Sequence, residues 1–281
     1  MSGGKNRIKL AISPCPNDTF IFGPMILGLT DQQFGLTKTD IQTDYFDIQT
    51  LNELALFHKY DIIKVSAAHA LSISDHYDFF TCGGAMGLNC GPLLITKNEI
   101  DSAPINTRSV ILPGKNTTAR FLFEFAFPEA KSLFFGTFSE IEDLVQKEVY
   151  PYGVIIHENR FTYQSKGLVK ILDLGEYWNQ ETGFPIPLGL IGVKKELDIN
   201  LKIKIKDQIT SSLAYATEHV DQIFTYIKSH AQELDKEVIF QHIDLYVNEF
   251  SHDLGDTGKS AVNELFKSAQ AAKTTSTINF I

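Results

Sequence analysis

The chain has 281 residues, and its 34 Asp and Glu outnumber its 25 Lys and Arg, which gives a formal net charge of −9 at pH 7. This length allows two domains with a sizeable core, and an acidic chain without a Lys/Arg cluster is not expected to bind nucleic acid. Three widely spaced cysteines, Cys15, Cys82 and Cys90, form no C-x-x-C pair. Neither a disulfide framework nor a zinc knuckle is therefore predicted.

The hydrophobic fraction of 43% is typical of a folded globular protein. The N-terminal sequence MSGGKNRIKLAIS lacks the charged, apolar and small-residue succession of a secretory signal, and no stretch approaches about 20 apolar residues. We therefore expect a cytoplasmic protein that does not bind a membrane.

The first part of the chain alternates short apolar runs with helical patterns, as α/β proteins do. Strands are predicted over 7–13, 44–48 and 61–65, and the first is followed by a helix over 18–27 that Asn17 or Asp18 would cap. Thr50 and Glu53 match a capping box for the next helix. The glycine-rich segment 82–91 is expected to be irregular, and the strand after it, over 92–96, to leave the first lobe.

From Arg108 the same alternation restarts, with a strand, a turn at Gly114, a helix over 117–127 and a further strand over 152–156. After a strand over 188–193 the pattern is almost wholly helical. Two α/β lobes with two crossings are therefore predicted, and the terminal helices should pack on the first lobe's sheet. The expected division is 1–96 with 195–281, and 97–194, with the active site in the cleft between the two lobes.

Two motifs that would carry familiar chemistry fail on spacing. The Gly-Lys pairs at 114–115 and 258–259 lack the earlier glycine of a phosphate-binding loop. His157-Glu158 begins like a zinc-protease helix, but Phe161 stands where the second histidine belongs. No metal site is predicted.

Small polar residues cluster where predicted strands end and helices begin, in the segments 13–19, 64–66 and 114–119 and at His157. Ligands of open α/β sheets bind at such ends, because helix N–H groups there lack partners. Hydroxyl residues at these positions also cap helices, and a single histidine is often structural, so both interpretations stay open.

Several of these segments are specific as sequences. They are SPCPNDTF at 13–20, KVS at 64–66, GPLL at 91–94, TTA at 117–119, IHENRFTY at 156–163, DLGE at 173–176 and PIPLG at 185–189. Together they resemble the 1,4-dihydroxy-6-naphthoate synthases of the futalosine route to menaquinone.

The resemblance implies a two-lobed α/β fold similar to periplasmic type II solute-binding proteins. It also implies a carbon–carbon lyase that needs no cofactor and converts cyclic dehypoxanthinyl futalosine to 1,4-dihydroxy-6-naphthoate with release of dihydroxyacetone. His157 would be the proton acceptor. The resemblance places the small-molecule substrate on Lys64, Val65, Ser66, Thr118 and Ala119, and the strand-end argument adds Asn17, Asp18 and Thr117.

An imidazole with a pKa near 6.5 suits proton removal at cytoplasmic pH, so the chemistry of the residues agrees with this role. Glu158 is adjacent to His157 in a predicted strand and should therefore point to the opposite face. Two alternatives remain, a small-molecule binding protein of the same fold and a chorismate dehydratase of the same pathway. The oligomeric state is not predicted.

Overall fold

The computed structural model describes residues 7–30, 36–97, 104–269 and 277–281. Within these residues the strands form two sheets of five strands each. The strands are β1 Ile8–Ile12, β2 Ile41–Tyr45, β3 Ile62–Ser66, β4 Tyr77–Gly87, β5 Leu93–Thr96, β6 Val110–Leu112, β7 Leu133–Phe135, β8 Tyr152–Ile155, β9 Val169–Asp173 and β10 Ile186–Lys194.

Twelve α-helices connect and cover these strands in the described part of the chain. They are α1 Pro16–Leu27, α2 Ile48–Leu56, α3 Ala67–Ala70, α4 Thr118–Ala126, α5 Ile141–Gln146, α6 Asn159–Thr162, α7 Leu174–Thr182, α8 Ile199–Glu218, α9 Val220–His230, α10 Lys236–Tyr246, α11 Glu249–His252 and α12 Gly255–Ala269. None of the described helices is both long enough and apolar enough to cross a membrane.

The two sheets share one plan. The first has the order β2-β1-β3-β10-β4 and the second β7-β6-β8-β5-β9. In each sheet three parallel strands are followed by an antiparallel fourth strand, which is β10 in the first sheet and β5 in the second. The chain thus enters the second lobe before β5 and returns to the first lobe before β10, which confirms two lobes joined by two crossings.

The predicted domain boundaries at 96 and 195 do not coincide with these crossings. β5 lies in the second sheet and β10 in the first, so the chain crosses between 87 and 93 and again between 173 and 186. Both strands were assigned to the lobe they follow, whereas each one pairs in the lobe that comes next. The sequence pattern predicts the crossings near residues 94–100 and 188–195, and residues 98–100 of the first lie outside the described residues.

The C-terminal helices pack on the first lobe. Ile209 and Leu213 of α8 share one buried apolar cluster with Ile12 of β1 and Phe22 of α1. The helix α10 contacts α1 and β4. This packing carries residues 236–246 to the same face of the first sheet as the start of α1.

Three local expectations prove wrong. The glycine-rich segment is a strand over most of its length. Glycine is needed there because β4 pairs closely with β10, and a Cβ on Gly84 would lie 2.9 Å from the carbonyl oxygen of Gly189. Cys15 occupies the N-cap position of α1 instead of Asn17 or Asp18. For α2 the cap is Asp47, whose carboxylate accepts from two backbone N–H groups, and the Thr50 capping box is not used.

Candidate functional site

A cleft lies between the two sheets, with about 650 Å³ of empty space when the open solvent at its mouth is included. Eight of the nine predicted site residues line it, namely Asn17, Asp18, Lys64, Ser66, Thr117, Thr118, Ala119 and His157. Val65 does not line the cleft: strand alternation directs its fully buried side chain into the apolar core, and its assignment to the substrate stays a prediction.

Asp18 organises the floor of the cleft in the first lobe. Its Oδ2 accepts from the backbone N–H and the hydroxyl of Ser13, at 3.1 and 2.7 Å. Its Oδ1 accepts from Asn17 Nδ2 at 2.9 Å and from Lys64 Nζ at 2.7 Å. Asn17 and Asp18 therefore serve the cleft through their side chains while their backbone forms the first turn of α1.

Lys64 and Asp18 form an ion pair with side chains only 5% and 1% exposed. Gly189 makes the space for it, since a Cβ there would lie 2.7 Å from Lys64 Cε. This contact explains why a glycine of the PIPLG segment accompanies the KVS segment in the sequence. The pair brings a lysine into the cleft without leaving an uncompensated buried charge.

The three hydroxyl residues of the site have different duties. The Thr117 hydroxyl donates to Gly114 O and caps α4 by accepting from the Arg120 amide. The Thr118 hydroxyl donates to Leu188 O and accepts from Ala68 N, which ties the second lobe to the first.

Ser66 Oγ accepts from Asn52 Nδ2 at 2.9 Å and keeps its own hydrogen for a further bond. The first amides of α4, at Thr118 and Ala119, have no intrahelical acceptor because of their position in the helix. The hydroxyl of Ser66 and these two amides are thus the donors that a substrate anion would meet, at the positive end of a helix.

His157 follows β8 and adopts the left-handed conformation, with φ of 58°. Such a backbone is uncommon for a residue other than glycine and is concentrated at functional sites. His157 Nδ1 lies 3.4 Å from Cys15 Sγ, and Phe138 packs edge-on against the ring. Nε2 is shielded from solvent and has no hydrogen-bond partner among the described residues.

Burial lowers the pKa of His157 to about 4, although the charge of Asp18 acts in the opposite direction. The ring is therefore neutral at pH 7 and can accept a proton without first losing one. Burial also raises the pKa of the Cys15 thiol well above its ordinary value, so the thiol beside the ring stays protonated.

Glu158 does not point away from His157. Because His157 leaves the extended conformation, strand alternation ends before Glu158, and a carboxylate oxygen of Glu158 comes within 4.8 Å of both Cys15 Sγ and a ring nitrogen of His157. We interpret the three groups as an acid–base cluster, because burial keeps the free Cys15 thiol protonated. Metal independence stays a prediction.

The remaining segments of the sequence pattern meet in one structural contact. Arg160 donates to Gly91 O and pairs with Asp173 at 2.6 Å. A Cβ on Gly91 would lie 2.2 Å from the backbone nitrogen of Gly175, so both glycines are required for this approach. The segments 91–94, 156–163 and 173–176 therefore hold the end of β8, and with it His157, in place.

Comparison with known proteins now decides the family. The menaquinone biosynthesis family model matches residues 8–271. A 1,4-dihydroxy-6-naphthoate synthase of Thermus thermophilus is 36% identical over 94% of this chain and 94% of its own length. One of Streptomyces coelicolor is 37% identical over 95% of this chain and 94% of its own length. The chain belongs to the menaquinone biosynthesis family.

Solved structures agree with this family assignment in fold. A protein of Archaeoglobus fulgidus superposes with a TM-score of 0.87 at 28% identity, covering 94% of this chain and 97% of that one. The periplasmic aliphatic sulphonate binding protein of Escherichia coli gives 0.62 at 11% identity, covering 95% and 89%. This member of the menaquinone biosynthesis family thus has the periplasmic solute-binding protein fold that the sequence resemblance implied.

The sequence analysis missed the part of the site that the C-terminal helices supply. His242 and Tyr246 of α10 line the cleft, and their rings pack at 4.7 Å. Their spacing of four residues on one helix face was the available signal. It was overlooked because the helical segment carries little of the sequence pattern that distinguishes this menaquinone biosynthesis family.

Proposed function

We propose that the protein is a 1,4-dihydroxy-6-naphthoate synthase that converts cyclic dehypoxanthinyl futalosine to 1,4-dihydroxy-6-naphthoate and dihydroxyacetone. It would act as a carbon–carbon lyase in the cytoplasm, with a small-molecule substrate and without a cofactor. Relatives that match nearly the whole chain carry this name, and the cleft offers matching chemistry.

The observation that carries the proposal is the state of His157. The ring lines an interlobe cleft, is neutral at pH 7, and has one nitrogen without a partner among the described residues. If Nδ1–H donates to Cys15 Sγ, Nε2 keeps its lone pair and can accept a substrate proton. Proton removal next to an activating group starts the bond cleavage, and formation of an aromatic ring supplies the driving force.

The substrate carboxylate would bind at the N-terminus of α4, on the amides of Thr118 and Ala119 and on the Ser66 hydroxyl. Lys64 would add its positively charged ammonium group on the same side of the cleft. This arrangement holds the substrate between the two lobes and brings its reacting carbon to His157.

A small-molecule binding protein is the second candidate, because distant structural neighbours with the same fold are named for binding a solute. Turnover separates the two functions. We expect the purified protein to produce naphthoate and dihydroxyacetone in equal amounts from cyclic dehypoxanthinyl futalosine, as followed by mass spectrometry. Saturable binding without product would favour the binding protein, and consumption of chorismate in a parallel reaction would favour the dehydratase.

A further inference from the structure

A second histidine of the cleft has no task in the reaction proposed above. His242 is fully buried, and its ring lies nearly parallel to that of His157, with centroids 6.1 Å apart. Its Nδ1 is shielded from solvent without a hydrogen-bond partner in the described part of the chain. The nearest carboxylate oxygen, Glu158 Oε2, lies 3.9 Å away and is equally without a partner there.

These two unpartnered groups belong to different lobes. His242 stands on α10, which packs on α1 and β4 of the first lobe, whereas Glu158 follows β8 of the second. Backbone N–H groups of Glu158 and Gln232 face the carboxyl without reaching hydrogen-bonding geometry. A buried polar group left unpaired is costly, so each of the two groups favours any movement that pairs it with the other.

The hydrogen-bond chain on the other side of His242 fixes where its proton lies. Asp18 accepts hydrogen bonds from Lys64 and Ser13. The end of the Asn17 amide that faces Asp18 is therefore the donor Nδ2. Asn17 Oδ1 is therefore the acceptor that His242 Nε2 meets at 3.0 Å, and Nε2 carries the hydrogen. A neutral ring then has its lone pair on Nδ1, and a carboxyl can bond to that lone pair only while it keeps its own proton.

We propose that Glu158 and His242 form a net-neutral positioning pair, in which protonated Glu158 donates to His242 Nδ1 when the substrate occupies the cleft. The oxygen–nitrogen distance would shorten by roughly 1 Å to reach hydrogen-bond length. No proton is transferred between the two groups in this step. The inference rests on the proposed function and adds two residues to the same site.

The surroundings favour the neutral forms of both groups. Burial raises the pKa of Glu158 and outweighs the opposing effect of the nearby backbone N–H groups of Glu158 and Gln232, and the negative charge of Glu233 adds to the rise. Burial lowers the pKa of His242 well below its ordinary value, and His157 acts in the same direction. Cys15 and Tyr246 also face the pair, and burial raises the pKa of both, so they too remain neutral.

Neutrality at His242 matters for the proposed reaction. When His157 takes a proton from the substrate, it becomes a cation beside the parallel ring of His242, and a second cation there would oppose proton transfer. The pair also orients Asn17, and through it Asp18. Loss of the pair should therefore lower turnover more than substrate affinity.

Two variants of Glu158 test the proposal. Glu158→Leu removes the donor at similar volume, and we expect kcat to fall roughly tenfold or more with little change in KM or melting temperature. Glu158→Gln restores an N–H donor at the same place and should recover kcat to within about threefold of wild type. Glu140→Gln, at an exposed position, is the control. Equal losses in Leu and Gln variants would show an anionic Glu158 and overturn the proposal.

A readout that does not depend on turnover separates this proposal from the proposed function. In protein labelled with ¹⁵N-histidine and free of substrate, His242 should give a neutral ring with its hydrogen on Nε2 from about pH 5.5 to 8, assigned by comparison with His242→Phe. An imidazolium at His242 in that range, or a hydrogen on Nδ1, would overturn the pair. The spectrum decides this even if the enzyme proves inactive on the futalosine derivative.

Discussion

Two acid–base pairs lie at the cleft, and they differ in how completely they are bonded. Asp18 and Lys64, both in the first lobe, meet at 2.7 Å, and Asp18 accepts two further bonds from Ser13. Glu158 and His242 come from different lobes and stay 3.9 Å apart. The first pair is complete in the free protein, whereas the second has groups left to bond.

The two pairs should therefore have different roles in one cleft: the first contributes to the stability of the fold, and the second to the reaction. The Asp18–Lys64 ion pair is buried and hydrogen-bonded, so removal of one partner should cost stability. Groups that are buried and unpaired, such as Nε2 of His157 and the carboxyl of Glu158, have altered proton affinity and are free to respond to a ligand. Substitutions in the ion pair should therefore lower stability, whereas substitutions of the unpaired groups should lower turnover.

The largest effect on turnover is expected from His157→Asn, which replaces one of the unpaired groups. Asparagine retains some hydrogen bonding but cannot take up a proton, so turnover should fall by about 10² to 10⁴, the usual contribution of a positioned base. Substrate binding and melting temperature should stay near wild type. Steady-state kinetics and thermal unfolding measure both, and a folded variant with near wild-type turnover would eliminate His157 as the base.

The pH dependence of the same group sharpens the comparison. Because burial lowers the pKa of His157 to about 4, the acidic limb of kcat/KM should lie near pH 4 and be absent in any residual activity of His157→Asn. Below the ordinary imidazole value the unfolded chain binds the proton first, so stability should fall as the pH drops from about 6.5 toward 4. An acidic limb near 6.5 would contradict the shielded environment.

The next effect concerns the complete pair. Lys64→Met leaves the Asp18 carboxylate buried without its cation, and we expect a loss of about 3–5 kcal/mol in the free energy of unfolding. Lys97→Met is a suitable control, since its ion pair with Glu148 is 40% and 56% exposed and should be worth less than about 1 kcal/mol. Urea denaturation compares the two, and equal losses would remove the distinction between them.

The sequence alone predicted much of this site because its polar residues stand at strand ends, where the parallel order of a sheet brings them together. Ser66 and His157 are examples. The assignment of Val65 stays a prediction, because a three-residue segment spans both faces of a strand and the Val65 side chain lies on the core face. Glu158 was misassigned because alternation was extended past the end of β8, and no sequence pattern showed the left-handed backbone of His157.

The C-terminal part was beyond the sequence for a different reason. The approach of His242 to Asn17 joins residues 225 positions apart, and it depends on how α10 packs against α1 and β4. Helical periodicity predicts which face of α10 is buried, but not what that face meets. The exchange of β5 and β10 between lobes was hidden likewise, since a strand's sequence does not show which sheet it joins.

A smaller effect is expected at the contact between the lobes. Thr118→Val keeps the shape of the side chain but removes the bonds to Leu188 O and Ala68 N, so about 1–3 kcal/mol should be lost from the free energy of unfolding. Thr217→Val, where an exposed hydroxyl donates to Leu213 O one helix turn earlier, controls for the substitution. Ser66→Ala should instead raise KM. A rise in KM for Thr118→Val without a loss of stability would show that the Thr118 hydroxyl binds the substrate.

The smallest effect is expected at Cys15, which lies between the two pairs. Its thiol contacts His157 Nδ1 at 3.4 Å, a geometry that also suits a nucleophile beside its base. Burial raises the pKa of the thiol, however, so the reactive thiolate is disfavoured. Cys15→Ser keeps a group that can accept from Nδ1–H, and turnover should stay within about fivefold of wild type, because a neutral hydrogen bond contributes about 1 kcal/mol. Rapid-quench kinetics together with intact-protein mass spectrometry provide the measurement. A loss of several orders of magnitude, or a covalent adduct on Cys15 during turnover, would assign the chemistry to the thiol and reduce His157 to its activating base.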